Sequence, residues 1–123
     1  MIYPIRLLAT ALAAFLLHVA LGWAWTFVAG VGAGVWQGRG GWHLGAVAVG
    51  IEWAGWVIYS YTVDARAVHL MTQTIGGVLG NLPFFAVVVL TLLIGMMLGG
   101  LGGGVGTRLR SLLVRRRTAR AAV

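Results

Sequence analysis

Long uncharged runs separated by short polar or glycine-rich breaks organise this chain of 123 residues. After Arg6 the next charge is Arg39, so residues 7–36, "LLATALAAFLLHVALGWAWTFVAGVGAGVW", form one uncharged stretch. A hydrocarbon core about 30 Å thick needs about 20 apolar residues per helix. The stretch therefore predicts a membrane helix over about residues 7–30, ending where "GVGAG" loosens it. "QGRGGWH", Gln37 to His43, has the glycines and the charge of a tight exposed connection. A second helix is expected over about residues 42–62, with Trp42, Trp56, Tyr59 and Tyr61 near its ends, where amphipathic rings favour the headgroup region. The third is expected over about residues 82–105: Pro83 sits in its first turn, "FFAVVVLTLLIGMML" follows, and Arg108 marks the exit.

Between the second and third runs, residues 64–81, "DARAVHLMTQTIGGVLGN", are more polar. Asp64 as a helix cap, with Val68, Met71, Ile75 and Val78 at helical spacing, predicts a short amphipathic helix lying at the interface. A crossing by residues 67–80 would reach only about 21 Å. The expectation is an all-α integral membrane protein, one polytopic domain over residues 1–123, with three transmembrane helices and four as the alternative. Three spans with the basic tail (residues 107–123) inside place Arg39 and the six tail arginines inside, against Arg6 and Arg66 outside. Four spans would move the N-terminus inside and improve the ratio from seven-to-two to eight-to-one, but polarity and length favour three.

Composition fits this picture: 60% of residues are hydrophobic and 9% charged, and mean hydropathy is +0.95. A soluble domain of this size has too little polar surface to cover such a chain. The basic start of "MIYPIRLLATALAAFLLHVALGWAW" resembles a secretory signal, but the apolar run continues too far and no small-x-small cleavage site follows, so a retained helix is expected. All basic residues are arginines, and Arg108, Arg110, Arg115, Arg116, Arg117 and Arg120 crowd one end of a chain of net charge +7. Such a cluster beside a membrane helix follows the positive-inside bias and meets anionic lipid headgroups, which predicts a cell-membrane protein with a cytoplasmic C-terminus. Nucleic acid is not expected as a partner, because no aromatic-rich or folded basic domain accompanies the run. With no cysteine, disulfides, thiolate metal sites and cysteine nucleophiles are excluded.

The chemistry narrows to few side chains. "GAVAVGIEWAGWVIYSY" carries Glu52 at its centre, and the only other acid is Asp64. A buried carboxylate is expensive unless it is paired, protonated or facing water. Projection at about 100° per residue groups Gly45, Ala48, Val49, Glu52, Gly55, Trp56 and Tyr59 on one face of the second helix. On the first helix Ala11, Ala14, His18, Gly22, Trp25 and Ala29 share a face, and on the third Thr91 shares one with Gly95, Gly99 and Gly102. Small residues let helices approach closely in lipid, so these faces should meet. Antiparallel neighbours of equal length would bring His18 and Glu52 together near mid-depth. Glu52 is then held by His18 with Thr91 nearby, or loses its charge for want of hydration. A hydrogen bond that fixes register and a proton or cation site are the two readings of this cluster.

"GMMLGGLGGGVG" overlaps small-xxx-small pairs at Gly95/Gly99, Gly99/Gly103 and Gly102/Gly106, a pattern for close helix packing. It lacks the Lys and Ser or Thr of a nucleotide loop. "GIEWAG" resembles the membrane glutamate and following glycine of the small multidrug resistance exporters, in which a first-helix Glu binds cationic drugs and protons. Here the acid lies in the second run, and that function is not carried over. "ALAAFLLHVALGWAW" resembles the Ala-x-x-x-His pattern of bacterial light-harvesting helices, which makes His18 the one candidate ligand for a haem or chlorin. His43 and His69 lie near helix ends or in a loop, which disfavours a two-His haem site. No cofactor or metal is expected, and no Ser/His/Asp arrangement or carboxylate pair points to catalysis. The reading is a non-enzymatic scaffold or accessory subunit, assembled with itself or with other membrane helices through glycine faces. The alternatives are a pore former, whose layout resembles some phage holins, and a proton- or cation-conducting protein using Glu52.

Overall fold

The computed structural model describes the backbone of residues 2–121 and the side chains of residues 2–116. Over these residues it is all-helical, with five α-helices and no strand: α1 (Ile2–Leu21), α2 (Thr26–Gln37), α3 (Gly41–Val63), α4 (Ala65–Val78) and α5 (Phe84–Ala121).

The first apolar run is not one helix. Gly22 takes φ 99°, a left-handed conformation that side-chain-bearing residues rarely adopt, and its N–H closes on the His18 carbonyl at 2.9 Å. A single 3-10 turn, Trp23–Trp25, follows, and the Thr26 hydroxyl donates back to the Trp23 carbonyl at 2.7 Å. The chain then reverses. Arg6 Nη1 donates to Gln37 Oε1 at 2.6 Å, and the Arg6 guanidinium lies 5.6 Å from the centre of the Trp36 ring. A continuous helix would hold Arg6 and Gln37 about 46 Å apart. The expected span over residues 7–30 is therefore corrected to an antiparallel hairpin of α1 and α2. The glycines of "GVGAG" do not loosen α2, because Gly30 and Gly34 are buried inside it against α5.

Gly38 and Gly40, at φ 71° and 80°, make the tight connection to α3. At the far end Asp64 caps α4, its carboxylate accepting from the Ala67 N–H at 2.9 Å. Helix α4 packs on both α3 and α5. Helix α5 runs for 38 residues without a break. The basic stretch expected as a separate tail from residue 107 is its continuation, helical to Ala121.

Glycine determines how these helices meet. A Cβ placed on Gly99 would strike the Gly45 carbonyl and the Val49 side chain, and one on Gly103 the Gly41 carbonyl, all on α3. On the other side of α5, Gly102 and Gly106 lie against the Phe27 and Val31 carbonyls of α2. Helix α5 is thus wedged between α2 and α3, backbone against backbone. In lipid, apolar surface gains little by being buried, so such close contact is what holds helices together. The interior is correspondingly small: Ala14, Ala29, Ala33, Leu44, Ala48, Val49 and Val87 are its buried apolar residues. Large side chains such as Leu8, Leu16, Ile58, Phe85, Met97 and Leu101 point outward.

Near the Gly38 turn, the Thr107 hydroxyl is shared between the Gly38 and Gly103 carbonyls at 2.9 Å each. Arg110 Nη1 donates to the Trp36 carbonyl at 2.8 Å. Arg6, Arg39 and Arg110 therefore gather at one end of the bundle, while Arg66 follows Asp64 at the other. Arg6 and Arg39 thus stand at the same end of the bundle, where a single first span would have set them at opposite ends. Two helices, Ile2–Leu21 and Phe84–Arg116, are long and apolar enough to cross a membrane.

The wedge makes a position-specific prediction. Gly103→Leu should lower the stability of the detergent-solubilised protein by about 3 kcal/mol or more, since neither backbone can yield. Gly104, where an added Cβ meets nothing within 4 Å, should accept the same change with little effect. Thermal unfolding of both variants checks this, and equal sensitivity would refute the wedge.

Candidate functional site

His18 and Glu52 meet as the sequence led us to expect, although they meet through the hairpin and not through a single first span. His18 lies in the last turn of α1, where a ring that carries charge interacts well with the helix C-terminus. Glu52 is midway along α3. His18 Nδ1 and Glu52 Oε1 are 2.7 Å apart. The Glu52 side chain is 1% exposed and that of His18 23%. Such a contact requires a proton between the two atoms. It exists as an imidazolium–carboxylate pair, as a neutral Nδ1–H imidazole donating to a carboxylate, or as a neutral imidazole accepting from a carboxylic acid.

Around the pair stands an aromatic wall. Phe15 stacks on Trp56 at 5.6 Å, Trp56 lies 5.2 Å from the His18 ring, and Trp23 meets Trp53 edge-on at 6.5 Å. This wall was only partly legible, since the turn at Gly22 is what carries Trp23 back to Trp53. Polar satisfaction within it is incomplete: Glu52 Oε2, Trp53 Nε1 and Trp56 Nε1 are buried without a hydrogen-bond partner. A buried polar atom left unpaired costs roughly 1–3 kcal/mol, so three in one neighbourhood mark a place where stability has been given up.

Two cavities flank the pair. The first, of about 440 Å³, is lined by Ala11, Phe15, Glu52, Gly55, Trp56 and Tyr59. The second, of about 420 Å³, lies between α3, α4 and α5 and includes His18, Trp23, Trp53, Thr72 and Thr91 in its lining. Glu52 borders one and His18 the other. Thr91 does not join the pair, because its hydroxyl donates to the Val87 carbonyl one turn back at 2.9 Å, but it faces His18 across the second cavity.

The glycines expected at helix contacts divide. Gly45, Gly95, Gly99, Gly102 and Gly103 are contact points within the chain, Gly95 being covered by the Trp53 ring. Gly22 and Gly55 are not: no atom stands within 4 Å of a Cβ at either position. Gly22 serves the turn, and Gly55 opens the first cavity. Of the expected lipid-facing arginines, Arg108, Arg110, Arg115 and Arg116 project from exposed turns of α5, with Arg110 also clamping α2. The side chains of Arg117 and Arg120 lie outside the described residues. His43 stacks on Trp42 at 3.6 Å, and His69 bonds Gln73 at 3.0 Å, so neither joins His18. Among the described residues no three His, Cys, Asp or Glu side chains gather as metal ligands. No family model, curated protein or solved structure matches the chain.

Removal of one partner should expose the cost of the other. His18→Ala should destabilise the protein by about 3 kcal/mol, because it leaves Glu52 buried and alone, and adding Glu52→Leu should recover most of that loss. Thermal unfolding of the single and double variants in detergent measures both. A full additive loss in the double variant would mean that the two side chains are not coupled.

Proposed function

We propose that the chain is a small, non-enzymatic, polytopic membrane protein that passes protons through the His18–Glu52 pair. The observation that carries this reading is the position of the pair between two cavities, with Glu52 bordering one and His18 the other. A group that only fixes helix register would be expected to have both carboxylate oxygens fully satisfied, whereas Glu52 Oε2 is buried with no hydrogen bond of full geometry, the Trp56 indole standing nearby. Starting from a carboxylic acid with its proton on Oε1 and a neutral imidazole with its proton on Nε2, uptake of a proton at Oε2 is matched by transfer of the Oε1 proton to Nδ1 and release of the Nε2 proton, and imidazole is suited to this because it accepts at one nitrogen and donates from the other. Ionisable residues within membrane segments are candidates for ion and proton pathways by default.

In this reading α3 and α5 cross the cell membrane, and the α1/α2 hairpin enters and leaves it from one side. Helix α4 lies across the opposite end. Arg6, Arg39 and the arginines of α5 then face the cytoplasm and its anionic lipids, against Arg66 alone outside, a stronger positive-inside bias than three simple spans provide. Assembly as a homo-oligomer or accessory subunit has a narrower basis than the glycine pattern suggested, since Gly99 and Gly103 are used within the chain. It rests instead on the shallow outer groove of Gly100, Leu101, Gly104, Val105 and Arg108 on α5.

Two experiments test the proposal. In proteoliposomes under an imposed potential, the wild type should acidify a pyranine-loaded lumen, and Glu52→Gln should fall to the rate of empty vesicles while its melting temperature is kept. Unchanged flux in Glu52→Gln would refute proton passage. For topology, reporters active only outside the cytoplasm, fused ahead of Met1 and after Val123, should both stay inactive. Activity of either one would contradict the hairpin arrangement in the membrane.

A further inference from the structure

The second cavity has features that select a class of ligand. Its volume, about 420 Å³, is within the range of roughly 300–1,000 Å³ usual for small-molecule sites. Trp23, Trp53 and Trp56 supply flat aromatic walls, and Val57, Val68, Met71, Ile75, Val87 and Val88 fill out the rest with apolar surface. The Thr72 and Thr91 hydroxyls donate to carbonyls of their own helices, at 2.9 Å in each case. The donors left in the lining are His18, whose Nδ1 is engaged by Glu52, the Ser60 hydroxyl, and the indole N–H groups of Trp53 and Trp56, which have no partner. When the His18 ring carries both its protons, Nε2–H is a donor into the cavity. Among the described residues no arginine lines the space.

The cavity also has an extension. A second, wholly apolar groove of about 280 Å³, lined by Val57, Ile58, Tyr61, Thr62, Phe84 and Val88, adjoins it through the shared Val57 and Val88. It lies along α3 and the start of α5, where the outward neighbours Ile58 and Phe85 are exposed.

We propose that this composite site binds a lipophilic quinone: a flat ring against the tryptophans, a carbonyl oxygen accepting from His18 Nε2, and an isoprenoid tail in the Val57–Val88 groove. Each part of such a molecule answers a feature of the site. The ring stacks on aromatic faces, the carbonyls accept from His18 and the unpaired indole N–H groups, and the tail leaves toward lipid. The inference rests on the reading of the His18–Glu52 pair as a proton-bearing site but not on transmembrane proton passage. Binding alone is proposed, with no electron transfer.

The test is a titration of the purified full chain in detergent with decylubiquinone, followed by quenching of tryptophan fluorescence, with decylbenzene as a competitor that shares the tail and lacks the carbonyls. Wild type should show saturable quenching at one quinone per chain that decylbenzene does not reverse. His18→Gln, whose two N–H groups leave a single nitrogen and do not point in opposite directions as Nδ1 and Nε2 do, serves Glu52 without reaching the ligand and should weaken binding about tenfold, the worth of one hydrogen bond. Thr91→Phe, which fills the cavity from α5, should abolish saturation. Melting temperatures of both variants establish that they are folded. Quenching that does not saturate, that decylbenzene reverses, or that is unchanged in folded Thr91→Phe or His18→Gln overturns the proposal. Saturable binding combined with wild-type proton flux in Glu52→Gln would instead retire proton passage and leave the quinone site standing.

Discussion

The backbone of α5 touches the backbones of α2 and α3 at once, and this contact sets the position of everything else. Glycine occupies both sides of several approaches, Gly99 against Gly45 and Gly30 and Gly103 against Gly41 and Gly34, while Gly102 and Gly106 meet the Phe27 and Val31 backbone. With three helices drawn this close, the centre has room for alanine and a few larger residues and for little more. Large apolar side chains are sent outward. Because α2 is held by α5, the hairpin that carries α1 is held too, and α1 delivers His18 to Glu52 at a depth fixed by the wedge. The polar pair is therefore a consequence of glycine packing some distance from it.

Within that frame the His18–Glu52 contact has a particular economy. A carboxylate moved out of water loses hydration that a single partner restores only in part. The fold supplies one close nitrogen and leaves the second oxygen unpaired beside tryptophan N–H groups that are also unpaired. A purely structural solution was open to this sequence, since alanine or leucine at position 52 would pack on α1 without a polar atom to satisfy. Incomplete polar groups between two cavities are what the proposed proton site would draw on. The same incompleteness makes the region the least economical part of an otherwise well-packed bundle.

Much of this architecture was legible in the pattern of residues. Helical class, the connection at Gly38–Gly40, the Asp64 cap, the amphipathic α4 and the meeting of His18 with Glu52 all follow from periodicity, capping chemistry and the rarity of acids in apolar runs. The hairpin was not legible, for a physical reason. Gly22 looks like any of the chain's many glycines, and hydropathy does not distinguish a helix that continues from one that reverses when both halves are apolar. Arg6 and Gln37 hold the clue, but a bond between residues so far apart in sequence has no local signature. Likewise Gly22 and Gly55 shared a projected stripe with true contact points, because helical projection ranks faces and cannot tell which of them a neighbour covers. The helical continuation through the arginines was obscured by "GGLGGGVG". Glycine lowers intrinsic helix propensity, and here tertiary contact with α2 and α3 overrides it.

The account stands most directly on the contact between the end of α1 and the middle of α3, which requires the hairpin, the wedge and the buried pair together. Solid-state NMR of the protein in lipid bilayers, with 15N-labelled histidine and 13C-labelled glutamate, reads that contact without mutation. Glu52 is the only glutamate in the chain, so its carboxyl carbon is unambiguous. The account predicts strong 15N–13C dipolar recoupling between His18 Nδ1 and the Glu52 carboxyl carbon, as a nitrogen–oxygen distance of 2.7 Å demands. Absence of that coupling in folded protein would contradict it.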